Sequence, residues 1–385
     1  MHVRKASVWL GATALAVGIA MVLTSCGSET TTTTTEGTTA TSGGATTTAG
    51  GTAAGNIKIA LLLPETKTAR YETQDKPLFE AKVKELAPDA VLLYSNANQD
   101  AAAQQSQAEA ALTNGANVLV LDPVDSAAAA SIVAKANAAK VPVISYDRLI
   151  LNSDVNYYVS FDNEQVGKLQ GQALLDKLTA DGNAGKTIVM INGSPTDNNA
   201  KLFKAGAHSI LDGKVKIGAE YDTPDWSPDK AQTQMDQAIT KLGKDGFVGV
   251  LAANDGTAGG AIAAMKTAGV DPKTRPTTGQ DAELAAIQRI LLSDQYMTVY
   301  KAIKLEAEAA AALAVSLAKG EPLPSTIQLS KVNNGSKDVP SVLLTPVAVM
   351  KDNIKSTVVA DGFWTADQIM TTPELKAAGK AAGLQ

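Results

Sequence analysis

The chain has 385 residues, enough for two ordinary lobes, and carries a formal net charge of -5. That balance leaves no broad basic field for nucleic acid, and none of the usual reading motifs is present. A single cysteine, Cys26, and two histidines, His2 and His208, exclude an internal disulfide framework and a conventional thiolate- or histidine-rich metal site, so neither metal nor cofactor is expected.

In chain order the first signal is the N-terminus. Arg4 and Lys5 precede an almost wholly apolar stretch at 8–23, and Leu23-Thr24-Ser25-Cys26 follows. The layout predicts a signal peptide over 1–26. Its ending resembles a bacterial lipobox, whose cysteine thiol is acylated and becomes the mature N-terminus. The bulk of the chain is then extracytoplasmic, held by lipid at Cys26 to the outer, periplasmic face of the cell membrane. Residues 27–55 are nearly all Thr, Gly, Ser and Ala, a composition that cannot offset its ordering entropy and predicts a flexible tether.

From residue 57 short apolar runs alternate with helical stretches. Strands are predicted at 57–63, 90–94, 118–121 and 141–145, and helices at 76–86, 104–114 and 126–139. The rhythm restarts after Asp162, with strands at 187–191, 214–221, 249–252 and 275–278 and helices at 164–178, 201–211, 227–241 and 259–268. An Ala-rich helix at 304–319 should pack closely on a sheet. The fold class is α/β: two lobes joined by a hinge, each a mostly parallel sheet with helices on both faces. The first lobe is expected over 56–162 plus about 302–330, and the second over 163–301 plus about 331–365. Residues 366–385 are expected to form a tail.

Ligands of open parallel sheets sit beyond the carboxyl ends of the strands. Arg70 and Tyr71 follow the first strand, and Asp147 and Arg148 follow the fourth. In the second half Asp197 and Asn199, then Asp225 and Trp226, then Asn254, then Asp281 stand at successive strand ends, with Lys301 after Thr298-Val299-Tyr300. Such a mixture suits a sugar. Each hydroxyl donates one hydrogen bond and accepts others, so ionised Asp takes protons while Arg, Lys and Asn give them. Bonds with a charged partner contribute roughly 1.5–3 kcal/mol each, and Trp226 and Tyr71 can cover the apolar ring faces. Each residue also has a plainer reading: Asp147-Arg148 as a surface ion pair, Asp197 and Asn254 as helix caps, Trp226 as a staple at a helix start. Their shared position at strand ends favours the site.

Between residues 57 and 362 the sequence resembles the D-xylose-binding branch of the type I periplasmic binding proteins, in the pentose/hexose group. The resemblance rests on Tyr-Asp-Arg (146–148), Ser-Phe-Asp-Asn-Glu (160–164) and Gly-Ser-Pro-Thr-Asp-Asn-Asn-Ala-Lys-Leu-Phe (193–203). It continues through Asn-Asp-Gly-Thr-Ala-Gly-Gly-Ala-Ile (254–262), Gly-Gln-Asp-Ala-Glu-Leu-Ala-Ala-Ile (279–287), Met-Thr-Val-Tyr-Lys (297–301) and Asn-Asn-Gly-Ser-Lys-Asp-Val-Pro-Ser (333–341). It implies a monomeric receptor that closes on a monosaccharide, D-xylose first, and docks on the transmembrane subunits of an ABC permease. The implied contacts are Arg70, Tyr71, Asp147 and Arg148 from the first lobe, and Asp197, Asn199, Trp226, Asn254 and Asp281 from the second, with Lys301 on the hinge side. Tyr71 departs from the family, which usually stacks a Trp there.

The rivals fare worse. A glycosidase would pair carboxylates such as Asp147 and Asp281, but the accompanying Arg and Lys should keep both ionised and leave no acid with a raised pKa. A phosphate loop at Gly185-Lys186-Thr187 lacks its first glycine, because Ala180 stands there. A sugar-responsive transcription regulator needs a helix-turn-helix where the lipobox lies. The chain is therefore read as a receptor and not an enzyme.

Overall fold

The computed structural model describes residues 56–384, so the leader, Cys26 and the tether lie outside the described residues. The first half runs β1 (Lys58–Leu63), α1 (Lys76–Leu86), β2 (Val91–Asn96), α2 (Ala101–Thr113), β3 (Val118–Leu121), α3 (Ala130–Ala138), β4 (Val143–Tyr146) and β5 (Tyr157–Phe161). β1 is the apolar run KIALLL, and Ile59 to Leu63 are all 1% exposed or less. Such a run has no polar face because helices cover both sides of a parallel sheet. Alternation along β1 sorts the cover: Ile59, Leu61 and Leu63 pack with Phe79 and Val83 of α1, whereas Ala60 and Leu62 pack with α2 and α3 through Ala108, Ile132 and Val133. Fully burying one such Leu contributes roughly 1.5–3 kcal/mol.

The second half continues with α4 (Asn163–Ala180), β6 (Thr187–Asn192), α5 (Asn198–Leu211), β7 (Lys216–Asp222), α6 (Pro228–Leu242), β8 (Val250–Ala252), α7 (Asp255–Thr267), α8 (Leu284–Leu291) and β9 (Thr298–Tyr300). The chain then returns as α9 (Ile303–Lys319), β10 (Ser330–Asn333) and β11 (Asp338–Leu344), and ends with β12 (Val347–Val349), α10 (Ala366–Ile369) and α11 (Pro373–Ala381). One sheet has the order β10-β11-β5-β4-β3-β1-β2, parallel except for the β10–β11 hairpin. The other has β7-β6-β8 in parallel, linked by the bridges Val250↔Thr277 and Gln280↔Val299 to the antiparallel pair β9–β12. The chain passes between the two sheets three times: from β5 into α4, from β9 into α9, and from β11 into β12. Ala307, Ala310, Ala311 and Ala314 of α9 are fully buried against the first sheet, the close packing that small side chains permit.

Three expectations need correction. Residues 331–344, assigned above to the second lobe, belong to the first: β11 pairs in parallel with β5, and Val339 and Val342 join the first-lobe cores. Residues 366–384, expected as part of a tail, are packed instead: Ile369, Leu375 and Leu384 share one core with Ile287, Ile290 and Leu291 around α8. The stretch 275–278 forms no strand and adds only the bridge at Thr277, since Pro276 has no N–H to give a ladder. Among the described residues no helix is long and apolar enough to cross a membrane.

Candidate ligand-binding site

The first lobe builds its half of the site from charges that hold one another. The loop after β1 ends in a π-helical turn, Tyr71–Asp75, running straight into α1. This extra residue per turn, a feature frequent at functional sites, lets Arg70 reach back to Asp75. Arg70 Nε donates to Asp75 Oδ2 at 2.9 Å, Nη2 donates to Glu306 Oε2 of α9 at 2.6 Å, and Nη1 donates to Asp147 Oδ1 at 3.3 Å. Tyr146 donates its hydroxyl to the other Asp75 oxygen at 2.6 Å. Tyr71 donates to Asp147 Oδ2 at 2.8 Å and accepts from Arg148 Nη2 at 3.1 Å, with both guanidinium groups near its ring. Tyr71 is thus locked into the polar network as well as presenting a ring. Asp147 has a left-handed backbone, φ 52°. That strain of order 1–3 kcal/mol persists only where the surroundings fix it. Here its carbonyl accepts from Tyr158 Oη, Ser160 Oγ and Asn199 Nδ2.

The second lobe supplies groups held by helix starts and by packing. Asp197 caps α5, accepting from Asn199 N at 2.8 Å, while its other oxygen accepts from Trp226 Nε1 at 3.0 Å. Asn254 caps α7 in a reciprocal box with Thr257. The cap readings of both residues are therefore true, and both side chains still line the cavity. Trp226 is 4% exposed, takes φ 53° and meets Phe203 edge to face at 6.3 Å. Its ring lies on Gly193, where any Cβ would come 2.0 Å from Trp226 Cη2. Asp281, also left-handed at φ 95°, lies 3.2 Å from Lys301 Nζ, which is 3.6 Å from Asp147.

These groups meet. A narrow cleft is lined by Tyr71, Asp147 and Arg148 from one lobe and by Asp197, Asn199, Trp226, Asn254 and Asp281 from the other, with Lys301 between. Its free volume is about 10 Å³, room for roughly one water, so the lobes must part to admit a sugar. Arg70 does not reach the wall and stands one layer behind, holding Asp147. Phe203, Thr68 and Gln280 line the cavity without having been singled out. Phe203 and Gln280 lie inside segments quoted above, so their place was legible. Asp75, Glu306, Glu65 and Asp122 also belong to the network, and nothing at a strand end marks Asp75 or Glu306.

Electrostatics explain the arrangement. Three cations, Arg70, Arg148 and Lys301, face seven carboxylates within 4 Å, all nearly buried. Burial opposes ionisation of Asp147, but Arg70, Lys301 and Arg148 prevail and hold its carboxyl below the usual range. Burial wins elsewhere: it pushes Glu306 and Asp122 well above that range, despite Arg70 beside the first and Arg148 beside the second, and raises Asp197 too. The expectation that no raised acid lies near the site was therefore wrong. An excess of carboxylates in a dry site is relieved by protons. Among the described residues no group of His, Cys, Asp and Glu is arranged to hold a metal ion.

Comparisons with known proteins identify the family. The profile of the "Periplasmic binding protein domain" matches residues 59–322. The D-xylose-binding periplasmic protein of Escherichia coli (strain K12) is 40% identical over 316 residues, covering 80% of this chain and 92% of that protein. The multiple sugar-binding periplasmic receptor ChvE of Rhizobium radiobacter is 37% identical over 283 residues, covering 69% and 80%. Among solved structures, an ABC transporter solute-binding protein from Clostridium phytofermentans with bound β-D-glucose superposes with a TM-score of 0.75 at 30% identity, covering 81% of this chain and 99% of that one. With two sheets crossed three times by the backbone, charged strand ends converging between them and a match along most of its length, this chain belongs to the periplasmic binding protein family.

Proposed function

We propose that the chain is the substrate-binding component of an ABC sugar importer, closing its two lobes on one monosaccharide, D-xylose before others, and delivering it to the permease. The observation that carries this reading is the small cavity walled by donors, acceptors and aromatic rings from both lobes. Asp147 and Asp281 accept from sugar hydroxyls, while Arg148, Lys301, Asn199 and Asn254 donate; Trp226 covers a ring face. Arg70 acts from behind by keeping Asp147 ionised and aimed. No bond is made or broken. In this reading the protein works as a monomer without metal or cofactor, tethered through lipid on Cys26 at the outer face of the membrane.

A second aldose remains a real competitor, because one structural relative at 30% identity holds β-D-glucose. A site lined to bond hydroxyls discriminates strongly against an epimer that leaves a buried polar group unpaired. A thermal-shift and calorimetry panel of D-xylose, ribose, arabinose, glucose and galactose tests the reading. At a hundredfold excess over Kd the cognate sugar should stabilise the fold by about 2.7 kcal/mol. D-xylose should give the largest shift; a larger shift with glucose would reassign the sugar, and no shift with any of the five would refute the receptor reading.

A further inference from the structure

Asp122 stands at the carboxyl end of β3, one step from the cavity, and no role in the site described above requires it. It is fully buried, and neither carboxylate oxygen accepts a hydrogen bond. Its backbone is pinned: Gln104 Nε2 donates to the Asp122 carbonyl at 2.7 Å, and Val124 N donates to Gln104 Oε1 at 2.9 Å. The backbone that carries the carboxylate is therefore fixed in place. Its nearest cation is Arg148, whose Nε lies 3.6 Å from Asp122 Oδ1 and 3.0 Å from Asp197 Oδ2. That Nε makes an aligned hydrogen bond with neither. It sits between two carboxylates, one on each lobe.

The other arms of the guanidinium are fixed to the first lobe, Nη1 on Pro123 O at 3.2 Å and Nη2 on Tyr71 Oη at 3.1 Å. When the lobes part, Asp197 leaves with the second lobe and Arg148 stays. Asp122 is then the carboxylate left beside Nε. We propose that Asp122 is a positioning residue of this site, competing with Asp197 for Arg148 and so setting how readily the lobes close. In the open form an ionised Asp122 has Arg148 Nε to itself; in the closed form Nε is shared with Asp197 at 3.0 Å, and Asp122 is left dry at 3.6 Å without a hydrogen bond. This rests on the receptor reading above.

Proton linkage gives the device a signature. The groups facing Asp122 are Arg148, Asp147 and Arg70 on its own lobe and Asp197 across the cleft, with Glu65 on the far side of the guanidinium and Tyr71 above it. In the closed form burial outweighs Arg148 and raises the Asp122 carboxyl well above its usual range. Closure then takes up a proton. A raised acid contributes fully below its open-form pKa and loses that contribution as pH rises through the closed-form value. Sugar affinity should therefore be highest in acid and decline with rising pH.

The test is calorimetry of the full-length chain across pH 5 to 9 with whichever of the five sugars binds most tightly, each pH in two buffers of different ionisation enthalpy. Wild type should take up protons on binding and weaken as pH rises. Asp122→Asn should take up fewer, weaken less, and bind about tenfold tighter at the alkaline end for each pKa unit separating the two forms. Asp122→Glu, which restores an acid, should regain the proton uptake. An Asp122→Asn variant that binds as wild type does or more weakly, with unchanged proton uptake, overturns the assignment and leaves the receptor reading intact. Wild type giving no heat with any of the five sugars overturns both.

Discussion

The two halves of the site are held by different physics. In the first lobe charges hold charges: Asp75 and Glu306 fix Arg70, Arg70 fixes Asp147, and Tyr71 ties Asp147 to Arg148. In the second lobe backbone holds side chains: Asp197 and Asn254 are oriented by the helices they cap, and Trp226 by the bare backbone of Gly193. A network of charges loses its balance when one member goes, whereas a cap or a packed ring fails locally. First-lobe substitutions should therefore be the more damaging.

The largest effect is expected at Asp147. Replacing it with Ala strips Arg70, Lys301 and Tyr71 of a shared buried partner. Hydrogen bonds to a charged partner contribute roughly 1.5–3 kcal/mol each, so loss of two such bonds to the sugar should weaken D-xylose binding in calorimetry by more than ~100-fold, and loss of those to Arg70 and Tyr71 should lower the melting temperature. Trp226→Ala should cost about 2 kcal/mol of affinity, the scale of a buried aromatic anchor, with a smaller effect on melting. Gly193→Val should mimic it by displacing the ring, because its Cβ would lie 2.0 Å from Trp226 Cη2. If Gly193→Val leaves affinity unchanged, Trp226 is not held as described. Asn254→Ala is the mildest: loss of the α7 cap should remove about 1 kcal/mol of stability in denaturant melts and reduce affinity less than Asp147→Ala. An Asn254→Ala effect equal to that of Asp147→Ala would break the contrast between the lobes.

The sequence made the alternating elements legible because parallel strands buried on both faces carry continuous apolar runs, as in β1 and β3. It did not reveal β10 and β11 as part of the first lobe. Pairing of β11 with β5 joins Ser341 to Tyr158 across the whole second lobe, and no local pattern encodes so distant a register. In the site, charged strand ends could be read directly, since topology sends them to one cleft. Asp122 also stands at a strand end, after β3, and the same rule covers it. Glu306 could not be found that way. It lies one turn inside an Ala-rich helix, and only the packing of α9 on the first sheet brings it to Arg70.

A crystal structure of the chain with D-xylose would test the central claim most directly. It should place one pyranose ring against Trp226, with hydroxyls bonded to Asp147 and Arg148 on one side and to Asn254 and Asp281 on the other. A sugar bound to residues of one lobe alone, or seated away from Trp226, would contradict it.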